Sequence, residues 1–256
     1  MSLEIRADEE CDRTVAFIAK TVNEAHSHGV VVGLSGGIDS AVVGALCARA
    51  LGKEKVLGLL MPSTHTPRED LRDARRLADS WGIRREEIPI SGIADGVIAA
   101  TKAYGTKMAK ANVEARVRMV LNYYRANSLG YLVAGTGDRS EWLLGYFSKW
   151  GDGGADFLPI AHLYKTQVRN LGAYLGLPKR VVEKPASPQL WPGQKATDEI
   201  PADYDRLDVA LHCLFDMKQK PAKAAAAAHL PLGVVKRVLV MHTRTEHKRR
   251  LPPSLT

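Results

Sequence analysis

The sequence predicts an α/β fold: a doubly wound, mostly parallel sheet with flanking helices. Short apolar runs, rich in β-branched residues, recur at residues 30–32, 56–61 and 131–134, with a weaker one at 83–90. Segments with apolar residues at helical spacing separate them, and strands joined through helices pair in parallel by right-handed crossovers. The first run also breaks at once into a loop of small residues, Gly33-Leu34-Ser35-Gly36-Gly37-Ile38-Asp39-Ser40, and then into a helix-forming segment.

In order, Val15, Ile18, Val22 and Ala25 mark a helix over residues 8–28, with Gly29 placed to end it. The first strand and its loop follow, then a helix over 41–51 that closes at Gly52. Pro62 stops the second strand, and Pro67 opens a helix through Trp81 that Gly82 ends. Residues 93–128 read as helical with a break near Gly105, and the fourth strand enters a second glycine-containing loop, residues 135–141. Ligands of doubly wound sheets lie beyond the carboxyl ends of the strands, where strand order reverses. If strands one and four are neighbours, both loops face one cleft.

Past residue 150 the strand signal fades. Helices are expected at 164–175, 204–217, 222–229 and 232–242, and the alanine run at 224–228 is strong helix propensity. Residues 184–202 are rich in proline and polar residues with no period. A structureless loop of that length in a compact domain is usually a lid or a disordered segment. The reading is therefore one domain over residues 1–256 with a lid near 185–202.

Composition narrows the class. At 256 residues, 45% hydrophobic and 25% charged, the chain suits an ordinary globular core, and no run approaches the ~18 apolar residues of a membrane span. Glu4, Asp8, Glu9 and Glu10 near the N-terminus do not fit a signal peptide, so cytoplasm is the expected location and no membrane partner is expected. Cys11, Cys47 and Cys213 form no C-x-x-C pair and read as buried free thiols; none has the surroundings of a glutaminase nucleophile. The net charge of +8 suits acidic partners, but basic residues are spread along the chain and aromatics are only 6%, which gives nucleic-acid binding little support.

A strand, a glycine loop and a helix N-terminus make an anion site, since backbone N–H groups and the helix dipole both favour negative charge. The loop has neither the Gly-Lys-Ser/Thr ending of a Walker A loop nor the G-x-G-x-x-G spacing. It offers a carboxylate, Asp39. At about 4 Å and an effective dielectric near 20, a carboxylate repels a phosphate charge by roughly 4 kcal/mol. A divalent cation removes that repulsion, and Mg²⁺ commonly bridges one or two carboxylates to nucleotide phosphates. A βα turn that binds nothing is the plain alternative.

In the second loop, Asp138 and Glu141 have the spacing of a capping box, which needs no function; paired with Asp39 across a cleft, Glu141 reads as a second metal ligand. Arg116 and Arg118 are two apart on a helix and so point in different directions; solvated helix charge is the plain reading of such a pair, and one arginine toward substrate with the other in a structural or subunit contact is the alternative. Between Gly145 and Ile160, three glycines in four positions interrupted by carboxylates suggest backbone that approaches a ligand closely; the carboxylates lack EF-hand spacing.

The loop Ser35-Gly36-Gly37-Ile38-Asp39-Ser40 resembles the signature of the N-type ATP pyrophosphatases, and from about Val30 to Pro252 the chain looks most like the short, ammonia-dependent NAD synthetases. The resemblance implies an adenine nucleotide alpha hydrolase-like, Rossmann-like domain without a glutaminase domain. It implies ATP contacts from residues 33–40 together with Thr136, Lys165 and Ser187, and Mg²⁺ on Asp39 and Glu141. Deamido-NAD contacts are implied for Arg116, Lys149, Asp156, His247 and Lys248, with a basic tail as the plain reading of the last two. The Leu190-Trp191-Pro192-Gly193-Gln194 stretch looks like the family's lid. Met108 stands where an aromatic is frequent, while Pro188 and Pro201 would stiffen the lid.

The implied reaction is ATP-dependent amidation of deamido-NAD by ammonia through an acyl-adenylate, releasing pyrophosphate and then AMP, in a homodimer. Asp39, Glu141, Lys165 and Asp156 are the implied catalytic set, Asp156 as the group that binds ammonium and takes its proton. Rivals are another ATP pyrophosphatase (a GMP synthetase-like core, or a transfer-RNA thiolation enzyme, which usually needs paired cysteines), a non-enzymatic adenine-nucleotide-binding module, and a basic nucleic-acid-binding protein.

Overall fold

A computed structural model describes residues 3–102, 105–187, 191, 193, 194 and 196–255. Its centre is a parallel four-stranded sheet in the order β3-β2-β1-β4, formed by β1 (Val30–Gly33), β2 (Val56–Leu60), β3 (Arg84–Glu87) and β4 (Leu132–Ala134). Val31 pairs with Leu57 on one side and Val133 on the other. The expected adjacency of the first and fourth strands therefore holds, and the order reverses at β1, where a crevice opens between the β1 and β4 ends.

The three valines of β1 serve both faces of the sheet because side chains alternate along a strand. Val30 and Val32 join Val56 and Leu60 in a core with α1 (Ala7–Glu24), α2 (Ile38–Leu51) and α3 (Arg68–Trp81). Val31 joins Leu57, Leu59 and Val133 in a second core on the opposite face, against α4 (Ser91–Ala100) and α5 (Lys107–Leu129). Both faces are covered, so β1, β2 and β4 read as unbroken apolar runs rather than alternating ones.

Beyond β4 lie α6 (Arg139–Leu144), α7 (Lys165–Tyr174), α8 (Lys179–Val182), α9 (Tyr204–Leu211), α10 (Pro221–Ala227) and α11 (Leu232–Arg244). A third core unites Leu143, Leu144, Tyr204, Leu207, Leu211, Val235 and Val238, so α6, α9, α10 and α11 form a helical lobe beside the sheet. Among the described residues no single helix is long and apolar enough to cross a membrane. All three cysteines are buried and free.

Several boundaries depart from the sequence expectation for local reasons. The first helix stops at Glu24 because His26 takes a left-handed conformation, with Ser27 N–H donating to Val22 O at 3.0 Å. Gly29 serves strand packing instead: a Cβ there would lie 2.3 Å from Lys55 O. The third strand is only Arg84–Glu87, an edge strand of charged residues between buried Ile83 and Ile90. Arg125 reaches its Glu86 at 2.5 Å and Arg75 its Glu87 at 2.7 Å, which blunts the open edge. The expected helix over 204–217 turns into a π-helical segment, His212–Asp216. The capping-box spacing of Asp138 and Glu141 marks a real helix start, that of α6.

Gly36 is the tightest position in the first loop. Its φ is +79°, and a Cβ would sit 2.2 Å from Asp70 O in the first turn of α3. Gly36→Ala should destabilise the fold by about 2–4 kcal/mol in urea unfolding; a change within about 0.5 kcal/mol would show that the loop relaxes freely.

Candidate active site

The first loop is held open by its own serines. Ser35 N–H donates to Ser40 Oγ at 3.2 Å, Gly37 N–H to Ser35 Oγ at 3.2 Å, and Ser40 Oγ to Gly37 O at 3.0 Å. With Gly37 as the N-cap, α2 starts at Ile38, three residues earlier than expected. Asp39 therefore lies in the first helical turn, where the dipole favours its charge.

Across the crevice, Asp138 caps α6 by accepting from Glu141 N–H at 2.8 Å, and α6 ends at Gly145, φ +64°. Half of the expected capping box is thus present, while the Glu141 carboxylate turns to Lys165. Lys165 opens α7, and Tyr164 N–H donates to Gln167 Oε1 at 2.9 Å to fix that helix start. Lys165 Nζ lies 2.7 Å from Asp39, 2.7 Å from Asp138 and 2.9 Å from Glu141. The loops after β1 and β4 do meet, and they meet on a buried ammonium.

With all three carboxylates ionised, two negative charges face the cavity uncompensated. Burial, reinforced by the neighbouring carboxylates against the pull of Lys165, holds Glu141 well above the usual carboxylate range and raises Asp138 as well. Burial works against the Lys165 ammonium, but Asp138, Asp39 and Glu141 outweigh it and keep the lysine well above its ordinary range. One oxygen from each carboxylate lies within 4.8 Å of the others, and Asp39 Oδ1 is buried with no hydrogen-bond partner among the described residues. Such a donor set, all hard oxygens, fits a hard divalent cation such as Mg²⁺.

A cavity of about 560 Å³ extends from this cluster. Residues Gly33, Leu34, Ser35, Gly37, Ile38, Asp39 and Ser40 of the first loop line it, whereas Gly36 does not. Thr136, Glu141, Lys165, Ser187 and Lys248 also line it. Four of the anticipated contacts, Arg116, Lys149, Asp156 and His247, do not. Arg116 donates to Lys149 O at 3.2 Å, and Lys149 Nζ lies 5.5 Å from the centre of the Trp150 ring. Asp156 sits at the β4 edge, accepting from Val133 N–H at 2.7 Å and from Tyr123 Oη at 3.1 Å. Burial and then Asp156 push the Tyr123 phenol up to about 12.

Of the two arginines on α5, it is Arg118 that faces the cavity, donating to Met61 O at 3.1 Å. Asp152, from the glycine stretch, joins it there and accepts from Ser148 N–H at 2.8 Å; Lys248 donates to Gly145 O at 2.8 Å and Phe147 O at 2.6 Å. Burial raises the Asp152 carboxyl and lowers the Lys248 ammonium.

The far wall comes from the proline-rich segment. Lys184, Ala186 and Ser187 line the cavity, as do Ala196 and Glu199. Ser187 Oγ donates to Gln194 O at 2.6 Å and Ala196 N–H to Ala186 O at 3.1 Å, while Tyr146 Oη donates to Glu199 at 2.5 Å. Lys184 pairs with Asp70 on α3, and Lys107 Nζ stands 4.1 Å from the centre of the Trp191 ring. Pro188, Gln189, Leu190 and Pro192, part of the expected lid, lie outside the described residues. Asp138, Arg118, Asp152, Lys184 and Glu199 are site residues that sequence reasoning did not assign. Asp138 left a signal in its position three before Glu141, Arg118 in its pairing with Arg116, and Asp152 in the glycine run that holds it.

A glycine loop at a helix N-terminus and a cluster of three carboxylates around a buried lysine, at a parallel-sheet switch point, define an α/β nucleotide-binding protein. The NAD synthase family matches residues 10–252, and the chain belongs to it. The NH3-dependent NAD+ synthetase of Hyperthermus butylicus is 50% identical over 239 residues, 93% of this chain and 87% of that one. Among solved structures, NMN synthetase from Francisella tularensis is 34% identical with a TM-score of 0.87, covering 98% of this chain and 99% of that one. The NH3-dependent NAD synthetase of Campylobacter jejuni, in complex with the nitrate ion, is 31% identical with a TM-score of 0.85, covering 99% and 100%.

Asp208 braces the cluster from behind. It is fully buried, accepting from Ser140 Oγ at 2.6 Å and Thr166 N–H at 2.8 Å, and burial raises its carboxyl to about 6 against those two hydrogen bonds. The folded chain thus keeps a proton that the unfolded chain loses near pH 4, so stability from this group falls as pH rises from about 4 to about 6. Asp208→Asn should remove roughly 3 kcal/mol of that decline, read from denaturation at pH 4, 5, 6 and 7. An unchanged pH slope would mean that Asp208 is ionised throughout.

Proposed function

We propose that the chain catalyses ATP-dependent amidation of deamido-NAD (nicotinic acid adenine dinucleotide) with ammonia, giving NAD⁺, AMP and pyrophosphate. The observation that carries this reading is the meeting of Asp39, Glu141 and Lys165 at the mouth of the glycine loop, with the Lys165 ammonium 2.7 Å from Asp39 and 2.9 Å from Glu141. The family membership and the Hyperthermus relative's activity support the substrate assignment.

A carboxylate is a poor electrophile, so it must be activated before ammonia can displace an oxygen. One nicotinate oxygen attacks the α phosphorus of ATP, and the bond to the β-phosphate oxygen breaks, releasing pyrophosphate. Ammonia then attacks the acyl carbon, AMP departs with the bridging oxygen, and one proton leaves the nitrogen. Backbone N–H groups of the first loop, at the α2 N-terminus, are assigned to the pyrophosphate. Thr136 and Ser187 are assigned to ATP, and Lys165 to the negative charge that grows as the phosphates separate. Asp39 and Glu141 would hold Mg²⁺, which supplies charge neutralisation of the triphosphate. Residues 185–202 would exclude water that hydrolyses the adenylate.

Arg116, Lys149, Asp156, His247 and Lys248 are assigned to deamido-NAD, with Asp156 receiving the proton. Most of these lie outside the cavity of one chain, which supports a dinucleotide site completed by a second copy. Ile93 and Val97, one turn apart on α4, and Val120 and Tyr124, one turn apart on α5, are 43–66% exposed, an apolar surface suited to that homodimer. Sedimentation should give twice the chain mass; a monomer that turns over fully would contradict the shared site.

The same chemistry on a mononucleotide acid is the second reading, favoured by the likeness to the Francisella NMN synthetase. Pyrophosphate release with ATP, Mg²⁺ and ammonium should be fast with deamido-NAD and slow with nicotinic acid mononucleotide. The reverse preference selects the second reading, and ATP binding with no release for either acid leaves a binding module. Ammonium should support turnover and glutamine should not; efficient glutamine use by the isolated chain refutes the ammonia assignment. Asp39→Asn and Glu141→Gln should each cut release by at least about 10²-fold with an unchanged circular dichroism spectrum. Retention of most activity removes that residue from the site.

A further inference from the structure

The three carboxylates around Lys165 are not equivalent. The Asp138 side chain is 0% exposed, whereas those of Asp39 and Glu141 are 21% and 23% exposed. Asp39, Glu141 and Lys165 line the cavity, and Asp138 does not. One Asp138 oxygen is committed to Glu141 N–H at 2.8 Å, which locks the carboxylate's orientation and leaves the other toward Lys165 Nζ at 2.7 Å. A cation arriving through the cavity therefore meets Asp39 and Glu141 first, with Asp138 behind them.

An ammonium and a divalent cation cannot both sit between Asp39 and Glu141, because like charges at that separation repel strongly in a poorly solvated site. The lysine has to give up those two contacts when the cation enters, and a buried ammonium stripped of every counter-charge is severely penalised. We infer that Asp138 is the permanent partner of Lys165, a positioning residue that draws the ammonium aside and leaves Asp39 and Glu141 to the cation. The Tyr204 ring, with its centre 5.3 Å from Nζ, gives the displaced ammonium a second favourable neighbour. Asp138 also caps the start of α6 and so places Glu141, which ties the cation's ligand and the lysine's retainer to one side chain. This assignment rests on the proposed cation role of Asp39 and Glu141.

Asparagine caps a helix as well as aspartate does, so Asp138→Asn removes the charge while keeping the cap. Mn²⁺ affinity of the full chain, read from the free-ion electron paramagnetic resonance signal without nucleotide, tests the assignment independently of turnover. Asp138→Asn should bind Mn²⁺ about tenfold or more weakly than wild type, because Lys165 then competes for Asp39 and Glu141. Lys165→Met should bind at least as tightly as wild type. Adding Lys165→Met to Asp138→Asn should restore binding to near the Lys165→Met level. Wild-type affinity in Asp138→Asn, or no restoration in the double variant, overturns the inference while leaving the cation reading intact. Absence of Mn²⁺ binding by the wild-type chain overturns both. Should Asp138→Asn fail to fold by circular dichroism, Asp138→Ser, a neutral cap as well, takes its place with the same expected outcomes.

Discussion

The ammonium of Lys165 ties together three chain segments that are far apart in sequence. Asp39 begins α2, Asp138 and Glu141 begin α6, and Lys165 begins α7, all within 2.9 Å of one nitrogen. Taking away one partner of a buried ion cluster leaves an uncompensated charge, which typically costs 3–5 kcal/mol. The cluster is therefore a structural constraint as well as a chemical one. It fixes three helix N-termini around one point, and helix N-termini favour anions. A site of this kind welcomes phosphate through its backbone and resists it through its carboxylates. The divalent cation of the proposed function would reconcile the two.

The layers of the fold exist to hold that point still. Val30, Val31 and Val32 divide between two cores, and the resulting rigid sheet carries the first loop on β1 and the second on β4. Within the helical lobe, α9 supplies Asp208, which accepts from Ser140 on α6 and Thr166 on α7. The α6 and α7 N-termini are thus braced from the side opposite the cavity. The proline-rich segment is anchored at both ends, by Lys184 on Asp70 and by Glu199 on Tyr146, so its described part already covers one wall.

What the sequence revealed follows from which interactions are local. The strands, the glycine loop and Asp39 were legible because apolar runs and glycine spacing are written in adjacent residues. Glu141 was legible only with the family pattern beside it, since its spacing from Asp138 is equally that of a helix cap, and the structure shows that the cap is real. The role of Asp138 as a counter-charge was invisible: it depends on Lys165, distant in sequence, and on burial that no local pattern encodes. Arg116 and Arg118 show the same limit. Their spacing told that they diverge, but the packing of α5 on the sheet decided that Arg118 reaches the cavity. The short α6 shows in the sequence only through its cap, because six residues carry too little period, and Gly29 was misjudged because crowding against Lys55 cannot be read from the helix it follows.

In the proposed function Asp39 and Glu141 jointly hold a divalent ion against the nucleotide at the mouth of the first glycine loop. The most direct measurement is an anomalous difference map from crystals grown with Mn²⁺, α,β-methylene-ATP and deamido-NAD. The account predicts a peak between the Asp39 and Glu141 carboxylates, touching the phosphates, with the Lys165 ammonium withdrawn toward Asp138. A peak bound to other residues, or nucleotide phosphates seated away from residues 33–40, would contradict it.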